Sequence, residues 1–173
     1  MNKVIDLIDK SHADCIFTHC NYVAERLPKD KELNNHNVYA DSIGESVLNY
    51  ILPKVEKEYG KKLCPTYSFW RKYYQGQPLK AHRDRPSCEV SVTLNIGGDG
   101  GTDWGIFVDN TKFSMEVGQG VIYKGCEQEH WREPLIYKSH VQMFLHYIEV
   151  DGQFYPKYKF DERPGLYFKR KPQ

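Results

Sequence analysis

Residues 89–96, Glu-Val-Ser-Val-Thr-Leu-Asn-Ile, alternate polar and apolar at every step. A period of two belongs to a β-strand, and eight residues of it do not fit a helix. Val90, Val92, Leu94 and Ile96 therefore form one face, which must be covered by a core. Glu89, Ser91, Thr93 and Asn95 form the other, which meets either solvent or a polar cavity; alternation alone does not separate these two. A chain with such a strand at its middle is organised around a sheet.

The flanking segments supply the rest of that sheet. Thr66–Tyr74 is rich in β-formers, and Val141–Val150 sets Met143, Leu145 and Tyr147 against Gln142, Phe144 and His146. Shorter strands are expected at Trp104–Val108 and Thr111–Val117, joined at Asp109-Asn110, and at Val121–Tyr123 after a Gly118-Gln119-Gly120 turn. The glycine-rich residues 97–101 read as a loop. No Gly-Lys-Ser/Thr and no helix follow them, so a phosphate-binding loop is excluded.

Before residue 64 the period is helical. Ser11 and Asp14 make a capping-box-like start, and Ile16, Cys20, Val23 and Leu27 follow at helical spacing up to Pro28. Residues 30–37 read as a polar loop. A second helix starts near Asp41 or Ser42 and stops at Gly60, with Pro53 kinking or splitting it. After Asp151 the chain is aromatic, basic and broken by Pro and Gly, a tail or flap over the domain.

Two helices before six to eight short strands predict an α+β, mainly β fold. The expected architecture is a double-stranded β-helix (jelly roll) with the N-terminal helices packed on one sheet. The 173 residues are expected to form one domain: a helical support over 1–60, a jelly-roll core over 64–150 and a C-terminal extension over 151–173. Lys plus Arg number 24 against 23 Asp plus Glu, so charge does not favour nucleic acid as a partner. Five cysteines without a Cys-x-x-Cys pair argue against a disulfide framework or a zinc knuckle. Reduced cysteines, no signal peptide and no spanning apolar run point to a cytoplasmic protein without a membrane partner. Oligomeric state is not legible.

The chemistry-bearing residues lie between the strands. His82 and Asp84, two apart, project from one face of an extended chain, ~6.6 Å apart along it. Such a pair can grip one side of a metal ion, and His130 is the best third ligand. An isolated His-x-Asp is most often a surface pair; here strand-like segments flank it and three more lead to His130. Two imidazoles and a carboxylate on one face of a metal leave its other positions open, as in non-haem Fe(II) sites.

The ordered set Tyr-Tyr-x-x-Gly-Gln-Pro-Leu-x-x-His-x-Asp, Glu-Val-Ser-Val-Thr-Leu-Asn-Ile, Gly-x-Gly, Gly-Cys-Glu-Gln-Glu-His-Trp-Arg-Glu-Pro and Val-Gln-Met-Phe-Leu-His-Tyr resembles a known family. That family is the prolyl-4-hydroxylase-like branch of the Fe(II)- and 2-oxoglutarate-dependent dioxygenases. The resemblance runs over residues 64–150. It implies His82, Asp84 and His130 as iron ligands, and Fe(II), 2-oxoglutarate and O2 as cofactor and co-substrates, with ascorbate as an accessory reductant. It implies release of succinate and CO2 as an unactivated C–H bond is hydroxylated. A peptidyl proline or other protein side chain is the implied substrate, and a small molecule is the alternative.

In that family a Lys or Arg about ten residues after the second histidine holds the far carboxylate of 2-oxoglutarate. Here the position is His140, a departure from the pattern. Lys138 is the next choice. Arg132 is a third, although two residues from His130 it suits substrate better, as does Trp131. Tyr73, nine residues before His82, matches a co-substrate tyrosine of the family, and Ser91, Thr93 and Asn95 would line the cavity. Glu127, Glu129 and Glu133 could orient His130, or be exposed loop charge. Two other readings compete: a cupin-like metal-dependent isomerase or hydrolase that uses no 2-oxoglutarate, and a non-catalytic peptide-binding module.

Overall fold

The computed structural model describes residues 2–99 and 104–169. Gly100 and Gly101 of the glycine run, and residues 170–173 of the extension, lie outside them. Among the described residues the elements are β1 (Lys3–Asp6), α1 (Lys10–Ala24), β2 (His36–Tyr39), α2 (Ser42–Tyr59), β3 (Leu63–Tyr74), β4 (Leu79–His82), β5 (Val90–Gly98), β6 (Ile106–Val108), β7 (Thr111–Phe113), β8 (Gln119–Tyr123), β9 (His130–Arg132) and β10 (Ser139–Glu149). Two short 3₁₀ turns, Pro86–Cys88 and Lys159–Glu162, complete them.

The strands form two antiparallel sheets. One has six strands in the order β1-β8-β5-β10-β3-β2, the other four in the order β4-β9-β6-β7. Together they make the expected jelly roll, with both helices on one face of the larger sheet. Ile16 and Cys20 of α1 and Leu48 and Ile51 of α2 share a core with Val92, Leu94, Met143 and Leu145. The polar face of β5 is as buried as its apolar face: Ser91 and Thr93 have no exposed surface. This face turns toward the second sheet. The alternating strand thus has a hydrophobic core on one side and a polar interior on the other.

Several boundaries differ from the sequence reading. Asp9, not Ser11, caps α1, accepting from the His12 amide at 2.9 Å, and the helix stops before the exposed Leu27. The first residues form a strand along β8. The stretch read as a loop up to Asn37 gives β2, which extends the edge of β3. Gln119 and Gly120, read as a turn, belong to β8. Pro53 does not split α2, which runs as one helix to its left-handed cap at Gly60 (φ 85°). No described helix is long and apolar enough to cross a membrane.

The C-terminal extension is docked through buried charge. Arg163 Nη2 donates to Glu45 Oε2 at 2.9 Å, and both side chains are fully buried. The same nitrogen donates to the Thr66 carbonyl, while Glu45 Oε1 accepts from the amide and hydroxyl of Ser68. Asp161 accepts two bonds from Arg85, at 2.6 and 2.9 Å, and one from the Tyr39 hydroxyl.

Candidate metal centre

β4 ends on His82, and the next two residues leave the sheet, so Asp84 is placed by its own backbone: its amide donates to the Gly125 carbonyl at 2.8 Å. His130 opens β9, which pairs with β4 so that His82 and His130 are direct partners. Their rings lie 4.3 Å apart. Both Nε2 atoms sit 3.5 Å from the same oxygen, Asp84 Oδ1, and one ligating atom from each residue falls within 4.8 Å of the others.

Each imidazole is set by its other nitrogen. His82 Nδ1 donates to the Lys80 carbonyl at 2.7 Å and His130 Nδ1 to the Gln128 carbonyl at 3.0 Å. That places a proton on each Nδ1 and turns each Nε2 toward Asp84, where it could ligate a metal that displaces its proton. Backbone carbonyls do the orienting. Glu127 pairs with Lys124 and Glu133 with Lys112 at the exposed surface. Ser91 donates to Asp84 Oδ2 at 3.0 Å, which leaves Oδ1 free. Burial pushes the Asp84 carboxyl up, but the His130 and His82 contacts outweigh it and hold the group well below the usual carboxylate range. His82 is raised, chiefly by its Asp84 contact and against its own burial.

The centre opens into a cavity of about 290 Å³, whose lining includes Phe69, Arg71, Leu79, Tyr123 and Phe144. Deeper between the sheets lies Arg132, 1% exposed. Its Nη2 donates to Thr93 Oγ1 at 2.9 Å. Its Nε and Nη1 are buried with no hydrogen-bond partner, and no carboxylate among the described residues pairs with it. Tyr73 approaches the guanidinium without a well-formed bond, and Trp104 stacks over it at 5.1 Å. Burial pushes the guanidinium below its ordinary value. A buried cation left with two open donors is costly unless an anion completes it.

The other residues singled out in the sequence divide by position. His140 is buried, its Nε2 3.0 Å from both Asn95 Oδ1 and Gln142 Nε2, and its Nδ1 has no partner. Desolvation, then the Arg132 charge, push it down to about 4, so at neutral pH it is an uncharged donor rather than a cation. Lys138 is exposed. Trp131 points away from its inward-facing neighbours His130 and Arg132 and stacks on Phe107 at 3.9 Å. Tyr73 and Thr93 stand beside Arg132, and Asn95 beside His140. Three residues that sequence reasoning missed also shape the site. Gly125 holds Asp84, Tyr123 packs its ring 4.7 Å from that of His130, and Asp161 neutralises Arg85 at the cavity wall.

No protein-family profile matches the chain, and no curated protein does. Solved structures do. A viral collagen prolyl hydroxylase of Paramecium bursaria Chlorella virus-1, in complex with 2-oxoglutarate, is 13% identical with a TM-score of 0.64, over 84% of this chain and 94% of that one. A Pseudomonas putida prolyl-4-hydroxylase is 14% identical with a TM-score of 0.64, over 86% and 92%. A non-haem α-ketoglutarate-dependent carbocyclase of nogalamycin biosynthesis is 12% identical with a TM-score of 0.67, over 87% and 80%. At such identities the likeness is one of fold: the chain has the double-stranded β-helix that these enzymes share.

Proposed function

We propose that the chain is an Fe(II)- and 2-oxoglutarate-dependent oxygenase that hydroxylates an unactivated C–H bond. One observation carries the reading. Two imidazole Nε2 atoms and a carboxylate oxygen converge in a cavity, with a buried guanidinium deeper in the same interior that has no carboxylate partner among the described residues. The donor set suits a divalent metal with open positions. The two bare donors of Arg132 suit a carboxylate that arrives from the metal's side.

His82, Asp84 and His130 would hold the iron, presenting Nε2, Oδ1 and Nε2. Ser91, through Oδ2, keeps the carboxylate from turning away. Arg132, with the Thr93 and Tyr73 hydroxyls, would receive the far carboxylate of 2-oxoglutarate. This replaces the His140 and Lys138 choices, because one is uncharged and the other lies outside. His140 would then serve as a neutral neighbour in the hydrogen-bonded row with Asn95 and Gln142. Tyr123 and Phe144 wall the centre. When bound, the iron with 2-oxoglutarate and O2 supplies the oxidising power: the keto acid leaves as succinate and CO2, and one oxygen atom enters the C–H bond. The protein contributes position and a dry pocket.

A peptidyl side chain such as proline is the substrate class the motifs imply. The fold does not choose among substrates, since prolyl hydroxylases and a carbocyclase share it. The test is succinate formation from 2-oxoglutarate with Fe(II), and the anaerobic charge-transfer band of the iron–keto acid complex. Both are expected in the wild type and lost in His82→Ala and Asp84→Ala. Turnover that survives either substitution removes the ligand assignment. Metal binding without any 2-oxoglutarate response would favour the cupin-like reading.

A further inference from the structure

Two arginines besides Arg132 bear on the interior, and they differ in one respect. Arg85 is neutralised by two bonds from Asp161. Arg71, on the inner face of β3, has no carboxylate within ion-pair distance among the described residues. Its Nε is buried without a partner, and Nη1 makes one long contact, 3.4 Å, to the Tyr73 hydroxyl. The Phe69 and Tyr73 rings flank it at 5.5 and 5.3 Å. Arg71 lines the cavity that holds the metal centre and also a second one that opens outward past Leu79 and His82. It therefore stands where a substrate would pass.

Charge balance leaves Arg71 as the cation without a counterion among the described residues. With a divalent iron, Asp84 and dianionic 2-oxoglutarate in place, and with Arg132 taking the far carboxylate, the interior still carries one positive charge, that of Arg71. Phe69, Phe144 and Leu79 give the inner cavity an apolar surface beside Tyr39, Tyr67 and Tyr123, while the outer one also carries Glu32 and Lys80. A single carboxylate on an apolar body would satisfy both features, with bidentate contact to the guanidinium at one end. The cavity's volume suits a small molecule.

Resting on the oxygenase reading, we propose that the substrate is a small apolar carboxylic acid. Its carboxylate is held by Arg71, and its body lies against Phe69, Phe144 and Leu79 with one carbon turned toward the metal. Arg71 would thereby set specificity, and a proline inside a peptide, which offers no carboxylate there, would be a poor ligand.

Matched pairs test this: 3-phenylpropanoate, 4-methylpentanoate and cyclohexanecarboxylate against their carboxamides, and a blocked proline-containing peptide amide. Binding is read by tryptophan fluorescence of the metal-free protein and of the anaerobic Fe(II)–2-oxoglutarate complex, and turnover by acid-stimulated succinate formation. At least one acid should bind tenfold or more tighter than its amide. Arg71→Gln should erase that difference while shifting the 2-oxoglutarate affinity far less than Arg132→Gln does. The proposal is overturned if amides or the peptide bind as well as the acids, if no acid binds, or if Arg71→Gln and Arg132→Gln weaken 2-oxoglutarate equally. Acid-selective binding that depends on Arg71, in a protein without any 2-oxoglutarate response, would uphold the carboxylate site and reject the oxygenase reading instead.

Discussion

The side chain that matters most to Asp84 is one that Gly125 lacks. A Cβ at position 125 would lie 2.5 Å from both Asp84 Oδ2 and the Cys88 carbonyl, and closer still to the Ser91 hydroxyl. The backbone there is not in the left-handed region, so the obstacle to alanine is contact alone. Gly125→Ala should displace the carboxylate or its serine and lower metal affinity about 10- to 100-fold, the usual cost of disturbing a ligand's support. A Mn(II) or Fe(II) titration measures it; unchanged affinity would mean the carboxylate has room to give. The sequence could show His82, Asp84 and His130 because their side chains carry metal chemistry at a readable spacing. It could not show Gly125, whose contribution is empty space. His140 gives a second expectation at this scale. Its folded-state value is pushed down to about 4 by burial and by Arg132, with Asp99 pulling the other way. A depressed histidine takes its proton more readily in the unfolded chain. Its share of stability is therefore complete above the ordinary histidine range and is lost as pH falls from about 6.5 to about 4, on the order of 3 kcal/mol. Urea midpoints between pH 7.5 and 4.5 should fall less steeply in His140→Gln than in the wild type. Parallel curves would show that His140 is protonated without cost.

Length made the long elements legible, and a turn signal at Asp109-Asn110 marked the short strands β6 and β7. β5 and β10 run long enough for a period of two to stand out, and α1 and α2 for a period near four. β1, β2, β4 and β9 have three or four residues each, too few for any period, and only pairing with a neighbouring strand makes them strands. Whether the polar face of β5 met solvent or a cavity was open for the same reason: two of the four strands of the second sheet, which covers it, are β4 and β9. The C-terminal extension was the least legible element, because its anchors are single charged residues in an aperiodic stretch. Glu45, an unremarkable helix residue by pattern, is the far partner of Arg163. Removing one member of a fully buried ion pair strands the other, at about 3–5 kcal/mol. Arg163→Met should cost that much in chemical denaturation, and Glu45→Gln combined with it should recover part of the loss. A cost under about 1 kcal/mol would mean the extension is not docked in solution. Because the same segment brings Asp161 to Arg85, its loosening should also free a cation at the cavity wall and weaken the preference for Arg71.

Across the whole molecule, the layers divide the work. The helices and the outer face of the large sheet bury most of the apolar side chains. The space between the sheets can then hold charge, and the described residues do not balance it: among them Arg132 has two bare donors and no acid. An interior of this kind is stabilised by its ligand. At a hundredfold excess over the dissociation constant, 2-oxoglutarate with a divalent metal should add about 2.7 kcal/mol, or roughly 5–10 °C in Tm for a chain of this size. Arg132→Met separates the charge from the fold. Without ligand the variant should melt at or above the wild-type temperature, because an apolar side chain of similar length fills the site without the desolvation penalty. The shift produced by metal alone should persist, since His82, Asp84 and His130 are untouched, and the further shift produced by 2-oxoglutarate should vanish. Differential scanning calorimetry of the two proteins under nitrogen, with metal and then with metal plus keto acid, reads all three quantities. A variant that melts lower without ligand would make Arg132 a structural residue. One that keeps the full 2-oxoglutarate shift would move the carboxylate anchor elsewhere in the interior, with Arg71 the next cation to test.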